Sequence, residues 1–215
     1  MSEIEPSPAR RPRPRRLVAG ILLGVLVLGA GALLVKEQLR PSYTPPVAAA
    51  EPLSADVAAQ MAYLDEHWEE ANVDEFGTLG GTDCVNFTSQ TLLARGWGMD
   101  DDWGHSRSLV GAHAYTRAWI SSTAFRDYLA ARPERATALD DTQRAELAVG
   151  DVAQFDWDAS GDRDHTAVVT AVIPRDDGTV DVRLGGHSPS YREMPVDRLL
   201  AEHEGAVVHY WHLAD

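Results

Sequence analysis

The stretch from Gly80 to Gln90, GGTDCVNFTSQ, contains the single cysteine of the chain, Cys84. A glycine turn precedes the cysteine, and helical spacing follows it, which predicts a helix from Asp83 or Cys84 to Arg95 with Gly96 as C-cap. A thiol in the first helical turn lies at the positive end of the helix dipole, beside N–H groups that stabilise a thiolate or an oxyanion. The alternative is that Cys84 is a small buried apolar residue, as free cysteines commonly are.

The length, composition and net charge of the chain limit which classes of protein it can belong to. The chain has 215 residues, 44% of them hydrophobic, which is enough for one sizeable domain with attachments. Its net charge of -14 is uneven, because residues 1–50 carry +4 and residues 51–215 carry -18. The strongly negative charge of residues 51–215 argues against nucleic acid as a partner. A lone cysteine forms no intrachain disulfide, so a free thiol or a disulfide between two copies remains.

The N-terminal segment has the pattern of a membrane anchor. Five arginines in the basic tail, residues 1–16, precede an uncharged apolar run at residues 17–35. At about 1.5 Å per residue such a run spans the hydrocarbon core. The positive-inside rule then predicts a single-pass cell-membrane protein with a cytoplasmic N-terminus and an extracellular C-terminal domain. A signal peptide cleaved near residues 47–50 is the alternative. Glycines in the run weakly favour a dimer through the transmembrane helix.

Residues 36–52 are rich in proline and alanine, which predicts an extended linker. The folded domain is therefore expected to comprise residues 53–215. It should begin with a helix capped by Ser54. The apolar residues at helical spacing in this helix are Val57, Met61, Leu64 and Trp68.

In the middle of the domain the spacing of apolar residues is less regular. Residues 97–119 are rich in glycine, aspartate and tryptophan and are predicted to form a long loop. Its tryptophans, Trp97, Trp103 and Trp119, either line a substrate groove or cover a small core. Residues 122–131 have helical spacing and end before a proline, which predicts a short helix.

Strand patterns follow Val149. Strands are predicted at residues 151–157, 165–173, 180–184 and 207–211, separated by turns rich in aspartate and glycine. Helices first and strands afterwards indicate an α+β fold, with N-terminal helices packed on an antiparallel sheet.

A cysteine nucleophile needs a base, which can lie far away in sequence. His165 is the best candidate among the eight histidines, because it opens a strand directly after a polar turn. Its imidazole would accept the thiol proton and later protonate the leaving amine. The alternative is an ordinary surface histidine in a turn.

A third residue would accept a hydrogen bond from the other nitrogen of His165 and so orient the ring. His187, which follows the next predicted strand, is the first choice. Asp164 is weaker, because neighbours along a strand point to opposite faces. Asn86 and Asp83 are candidate support residues near the thiol, and Asp83 is expected to cap the helix rather than to act in catalysis.

Four segments in a fixed order carry a family resemblance: residues 80–90, GDVAQFDW at 150–157, DHTAVVT at 164–170, and His187. Together they resemble the bacterial putative amidase domain, which is related to the NlpC/P60 and CHAP groups of papain-like cysteine hydrolases. The resemblance covers roughly residues 53–213 and implies a papain-like, NlpC/P60-like fold.

The same resemblance implies roles for individual residues. It makes Cys84 the nucleophile and His165 the base, and a polar residue on the following strand completes the site, which supports His187. Tyr63 is a weak match to an upstream tyrosine that lies near the site in NlpC/P60 relatives.

The activity implied is hydrolysis of amide bonds, with cell-wall peptide or muramoyl-peptide linkages as the natural substrates of a tethered external enzyme. Acyl transfer to an amine shares the same acyl-enzyme steps. A catalytically inactive module that binds cell-wall material or a protein partner is the alternative from a different class of function.

Acidic residues between 156 and 164 have the spacing of the early ligands in a calcium loop. The terminal bidentate glutamate is missing, since Ala167 occupies its place, so a solvated acidic hairpin turn is preferred to calcium. A zinc site built from Asp83, His165 and His187 is disfavoured, because nothing in their spacing requires a metal. The sequence thus predicts neither a metal nor a cofactor.

Overall fold

The computed structural model describes residues 52–214. The predicted basic tail, the transmembrane segment at 17–35 and nearly all of the linker lie outside these residues, so the anchor and the helix dimer remain predictions. Within residues 52–214, every helix is too short or too polar to cross a membrane.

The first helix, α1, spans Ala55–His67 and begins as predicted, because the Ser54 hydroxyl accepts a hydrogen bond from the Val57 N–H at 3.3 Å. Leu64 on this helix is fully buried and packs in a cluster with Phe87 and Val168. A short helix, α2, follows at Val73–Phe76.

The predicted helix around the cysteine is confirmed as α3, Cys84–Ala94, and a 3₁₀ turn at Gly80–Thr82 precedes it. All residues from Cys84 to Leu92 are buried, so α3 is a central helix covered on every side. Gly96 has φ +100°, a backbone conformation that favours glycine and ends the helix.

The loop predicted at residues 97–119 is not confirmed. It contains a two-stranded hairpin and a short helix: β1, His105–Arg107; β2, His113–Tyr115; and α4, Arg117–Ile120. Each of these elements is only three or four residues long, which is too short to show a hydrophobic period. Trp103 and Trp119 are fully buried in the core, which favours the core interpretation over the groove.

The next helix, α5, spans Ser122–Ala130, as predicted. A six-stranded antiparallel sheet then completes the α+β fold, in the strand order β3-β8-β4-β5-β6-β7. The strands are β3, Ala136–Asp140; β4, Val152–Asp156; β5, His165–Pro174; β6, Val180–Gly186; β7, Tyr191–Pro195; and β8, Val207–Leu213. Four of them match the predictions, whereas β3, β7 and the helix α6, Val196–Glu202, were not expected.

The sheet is covered on both faces in its centre, which explains why every residue of β4 is buried. Val152 belongs to the cluster that includes the helices, whereas Ala153 and Phe155 belong to the cluster on the other face with α6. Because side chains alternate along a strand, Gln154 shares the helix-facing side with Val152. A polar side chain is therefore directed into the space between the sheet and the helices.

Candidate active site

A cavity of about 660 Å³ lies where the starts of α3, α5 and β5 meet the β6–β7 loop. Both leading sequence candidates, Cys84 and His165, line it. Its wall combines apolar and polar groups, including Ile120, Ser122, Trp157, Arg163, Tyr191, Met194, Leu199 and Glu202.

Cys84 is the first residue of α3, and its side chain is 6% exposed. Burial raises the pKa of the thiol, while hydrogen bonds from the Thr166 backbone N–H, the Ser122 hydroxyl and the Val85 N–H act in the opposite direction. The Ser122 Oγ lies 3.8 Å from the sulfur. Thr166 directly follows His165 on β5, so this hydrogen bond places the start of β5 beside the thiol.

His165 is the first residue of β5, opposite Phe155 of β4, and is 5% exposed. Its Nε2 lies 2.7 Å from the hydroxyl oxygen of Tyr191. Burial lowers the pKa of His165 to about 4, and the charge of His203 acts in the same direction. The imidazole is therefore neutral at pH 7, in a form that can accept a proton.

His187, the predicted orienting residue, makes its hydrogen bonds to residues other than His165. Its Nδ1 is 3.0 Å from Oδ2 of Asp83, and its Nε2 is 2.9 Å from the carbonyl oxygen of His67. Its ring also stacks on Phe87 with a centroid separation of 3.8 Å. Because both ring nitrogens have partners, the structure brings His187 to Asp83 rather than to His165.

Asp83 occupies the N-cap position of α3, but its side chain makes no capping hydrogen bond, contrary to expectation. Its carboxylate turns back along the chain and accepts hydrogen bonds from the Leu79 N–H at 2.8 Å and from Asn86 Nδ2 at 2.9 Å. The Asp83 N–H donates to the hydroxyl of Ser188, which donates to the Gly80 carbonyl. These bonds fix the turn before the cysteine.

The remaining support candidates lie beside the site. Asn86 accepts a hydrogen bond from the indole of Trp119 at 2.8 Å and so links α3 to α4. The Tyr63 hydroxyl donates to Gln90 at 2.8 Å, and burial raises its pKa. Neither Asn86 nor Tyr63 lines the cavity.

Sequence reasoning missed two groups at the cavity. Tyr191 opens β7, a strand with little apolar pattern, so nothing marked it as a partner of His165. Ser122 lies against the sulfur and is bonded in turn to Thr166 and, through its carbonyl, to Gln154. The one available signal was Gln154, a polar residue in the middle of an apolar strand.

The acidic turn after β4 does gather its carboxylates. Ligand-type oxygens of Asp156, Asp158, Asp162 and Asp164 lie within 4.8 Å of one another. Asp156 accepts hydrogen bonds from the N–H groups of residues 160 and 161, and Asp164 accepts one from Trp157. Backbone hydrogen bonds of a tight turn thus account for the arrangement.

Comparison with known families identifies the domain. The family model of the putative amidase domain matches residues 54–211. The chain belongs to this family. The amidase domain is also similar to the uncharacterized protein YjcM of Bacillus subtilis (strain 168), with 34% identity over 121 residues. That alignment covers 53% of this chain and 27% of YjcM. No solved structure matches. Family membership indicates hydrolysis of amide bonds.

Proposed function

We propose that this amidase domain is a thiol amidase with Cys84 as nucleophile and His165 as base. The observation that carries the proposal is that the two residues line one cavity, with the N–H of the residue after His165 directed at the sulfur. A cysteine at a helix start that shares a cavity with a histidine at the start of a sheet strand is an arrangement that papain-like hydrolases also have. We therefore also propose a papain-like fold, related to the NlpC/P60 and CHAP groups.

In the resting site the thiol is protonated and the imidazole is neutral, since the pKa of the first is raised and that of the second is lowered. Binding of an amide carbonyl next to the sulfur starts the reaction. The sulfur attacks the carbonyl carbon while His165 takes the thiol proton, and the first N–H groups of α3 face the developing oxyanion. The C–N bond then breaks as His165 gives that proton to the leaving amine. Water activated by His165 hydrolyses the thioester and regenerates the thiol.

Tyr191 takes the role that was expected of His187. When the Nε2–H of His165 donates to the Tyr191 oxygen, the ring is fixed and Nδ1 is left as the nitrogen that accepts the proton. Burial raises the pKa of Tyr191, and so does the nearby Cys84, so this hydroxyl stays protonated throughout the working pH range.

A peptide from the cell wall is the proposed substrate. The cavity offers an apolar wall from Trp157, Met194 and Leu199 together with the charged groups of Arg163 and Glu202, a combination that suits a peptide of mixed polarity. The apolar run at residues 17–35 and the linker after it would hold the domain outside the membrane, next to that substrate.

Two measurements on the full chain in detergent test the proposal. Because the chain has one cysteine, iodoacetamide labelling followed by mass reports Cys84 alone. The native protein should be alkylated and should release amines from cell-wall peptide. Cys84→Ala and His165→Ala should each lower hydrolysis about a hundredfold or more.

His209→Ala is the matched control, because His209 lies on β8 and does not line the cavity. The thiol mechanism fails if Cys84 is alkylated only after denaturation, or if Cys84→Ala still cleaves the peptide. Binding of wall material without hydrolysis, unchanged in both variants, would instead identify a binding module.

A further inference from the structure

A chain of buried hydrogen bonds connects the centre of the sheet to the sulfur. The indole N–H of Trp211 donates to Oε1 of Gln154 at 2.9 Å, and Nε2 of Gln154 lies 3.2 Å from the hydroxyl of Thr166. Thr166 lies 2.9 Å from the hydroxyl of Ser122, and Ser122 lies 3.8 Å from the sulfur of Cys84. All five residues are buried and they come from β8, β4, β5, α5 and α3.

The donor and acceptor groups of these five residues allow only one direction of donation along the series of hydrogen bonds. An indole nitrogen only donates, so it must meet the carbonyl end of the Gln154 amide. The amide nitrogen of Gln154 also donates to the carbonyl oxygen of Ser122 at 2.8 Å, which fixes the same orientation a second time. The amide therefore donates to Thr166.

The direction of donation continues from Thr166 to the sulfur. The Thr166 hydroxyl accepts from Gln154, so its own proton is directed to Ser122. Ser122 in turn accepts from Thr166, and its hydroxyl proton is left to point at the sulfur of Cys84.

We infer that Ser122 donates a hydrogen bond to the Cys84 thiolate as it forms, and that Thr166, Gln154 and Trp211 hold the Ser122 hydroxyl in that direction. The inference rests on the proposed function in taking Cys84 as the reacting atom. Ser122 is then a further catalytic residue, and the other three are positioning residues.

The physical effect is stabilisation of the charged form of a buried group. A hydroxyl donates a stronger hydrogen bond to an anion than to a neutral thiol, and the difference grows where water is excluded. Burial disfavours the thiolate at this position, so a donor fixed before the reaction offsets part of that cost.

The test is the pH dependence of iodoacetamide alkylation, measured on the full chain in detergent. In Ser122→Ala the alkylation midpoint should move to higher pH by about one unit, so that alkylation at a fixed pH below the midpoint slows about tenfold. Thr166→Val keeps the Ser122 hydroxyl but removes the hydrogen bond that orients it. The alkylation midpoint of this variant should therefore also move to higher pH, but by less. Thr166→Ser restores the donor and should restore the midpoint.

The outcomes separate this inference from the proposed function. If Ser122→Ala and Thr166→Val unfold at the same temperature as the parent and leave the midpoint unchanged, the inference is overturned even if the parent cleaves amides. If the midpoints shift but the parent cleaves no amide, the hydrogen-bond chain stands and the amidase proposal falls. If Ser122→Ala does not fold, the comparison of Thr166→Val with Thr166→Ser decides.

Discussion

The hydroxyl oxygen of Tyr191 lies 2.7 Å from Nε2 of His165, and both side chains are almost completely buried. The contact joins the first residue of β7 to the first residue of β5. This bond and the ring of Trp157, which stacks beside the imidazole with a centroid separation of 5.9 Å, orient the imidazole.

Tyr191→Phe keeps the ring and removes the bond. We expect kcat for amide hydrolysis to fall about tenfold or more with little change in KM, because the loss of a buried hydrogen bond leaves Nε2 unpaired and the ring less well fixed. Tyr115→Phe is the control, since its hydroxyl donates to the Phe76 carbonyl away from the cavity. Equal kcat values for the two variants would remove Tyr191 from the mechanism.

The Asp83–His187 pair is expected to stabilise the fold. Their side chains are only 3% and 6% exposed, so removing one partner leaves the other buried without its hydrogen bond. His187→Gln should lower the free energy of unfolding by about 3 kcal/mol. A double-mutant cycle with Asp83→Asn should give a coupling of about 1–3 kcal/mol.

The exposed pair of Arg192 and Asp65 is the matched comparison, and its cycle should give less than about 1 kcal/mol. Both cycles can be measured by urea denaturation. A coupling no larger than that of the surface pair would show that Asp83 and His187 do not act as a unit.

Gly150 is predicted to be sensitive to substitution for two separate reasons. It has φ +95°, and a Cβ there would lie 2.7 Å from both Arg95 Nη1 and Gln60 Oε1. Gly150→Ala should therefore cost about 2–4 kcal/mol, from backbone strain and a disturbed buried hydrogen bond. Gly178→Ala, with φ +84° and open space around the Cβ, should cost only the strain, about 1 kcal/mol. Equal denaturation midpoints for the two variants would show that the close approach to Arg95 and Gln60 adds nothing to the cost of Gly150→Ala.

The low pKa of His165 makes stability depend on pH. Its ordinary pKa is 6.5 and burial lowers it to about 4, so between these values the unfolded chain binds a proton that the folded chain does not. Stability should therefore fall as the pH drops from 6.5 to 4, by about 3 kcal/mol from this residue.

His165→Gln should flatten the dependence of the urea midpoint on pH over that window. A residual slope is expected, because burial also lowers the pKa values of His105 and His209. An unchanged slope in His165→Gln would mean that the imidazole is not held neutral.

Local signals account for what the sequence predicted well. The helix at Ser54 and the helix that ends at Gly96 have caps and apolar spacing within a few residues of each other, so their bounds follow from short-range rules. β3 was not predicted because its buried and exposed residues do not alternate, and β7 was not predicted because it is a short edge strand ending in proline.

The residues of the candidate site could be predicted in part for the same reason. Cys84 and His165 each begin an element that the pattern reveals. The choice between His187 and Tyr191 depends on the path of the β6–β7 loop, where Ser188 has φ +63° and the chain turns sharply. That loop directs the two side chains to different neighbours, a tertiary outcome that no local pattern encodes.

β8 is the last strand to be synthesised, and the surroundings of Cys84 depend on it. This strand pairs with β3 on one side and β4 on the other, yet it follows all other strands in chain order. It also supplies Trp211, whose indole N–H donates to the Gln154 amide and so orients it. During synthesis, therefore, the surroundings of the thiol stay incomplete until β8 has emerged and paired, and a chain interrupted before β8 would carry Cys84 without the side chain of Trp211.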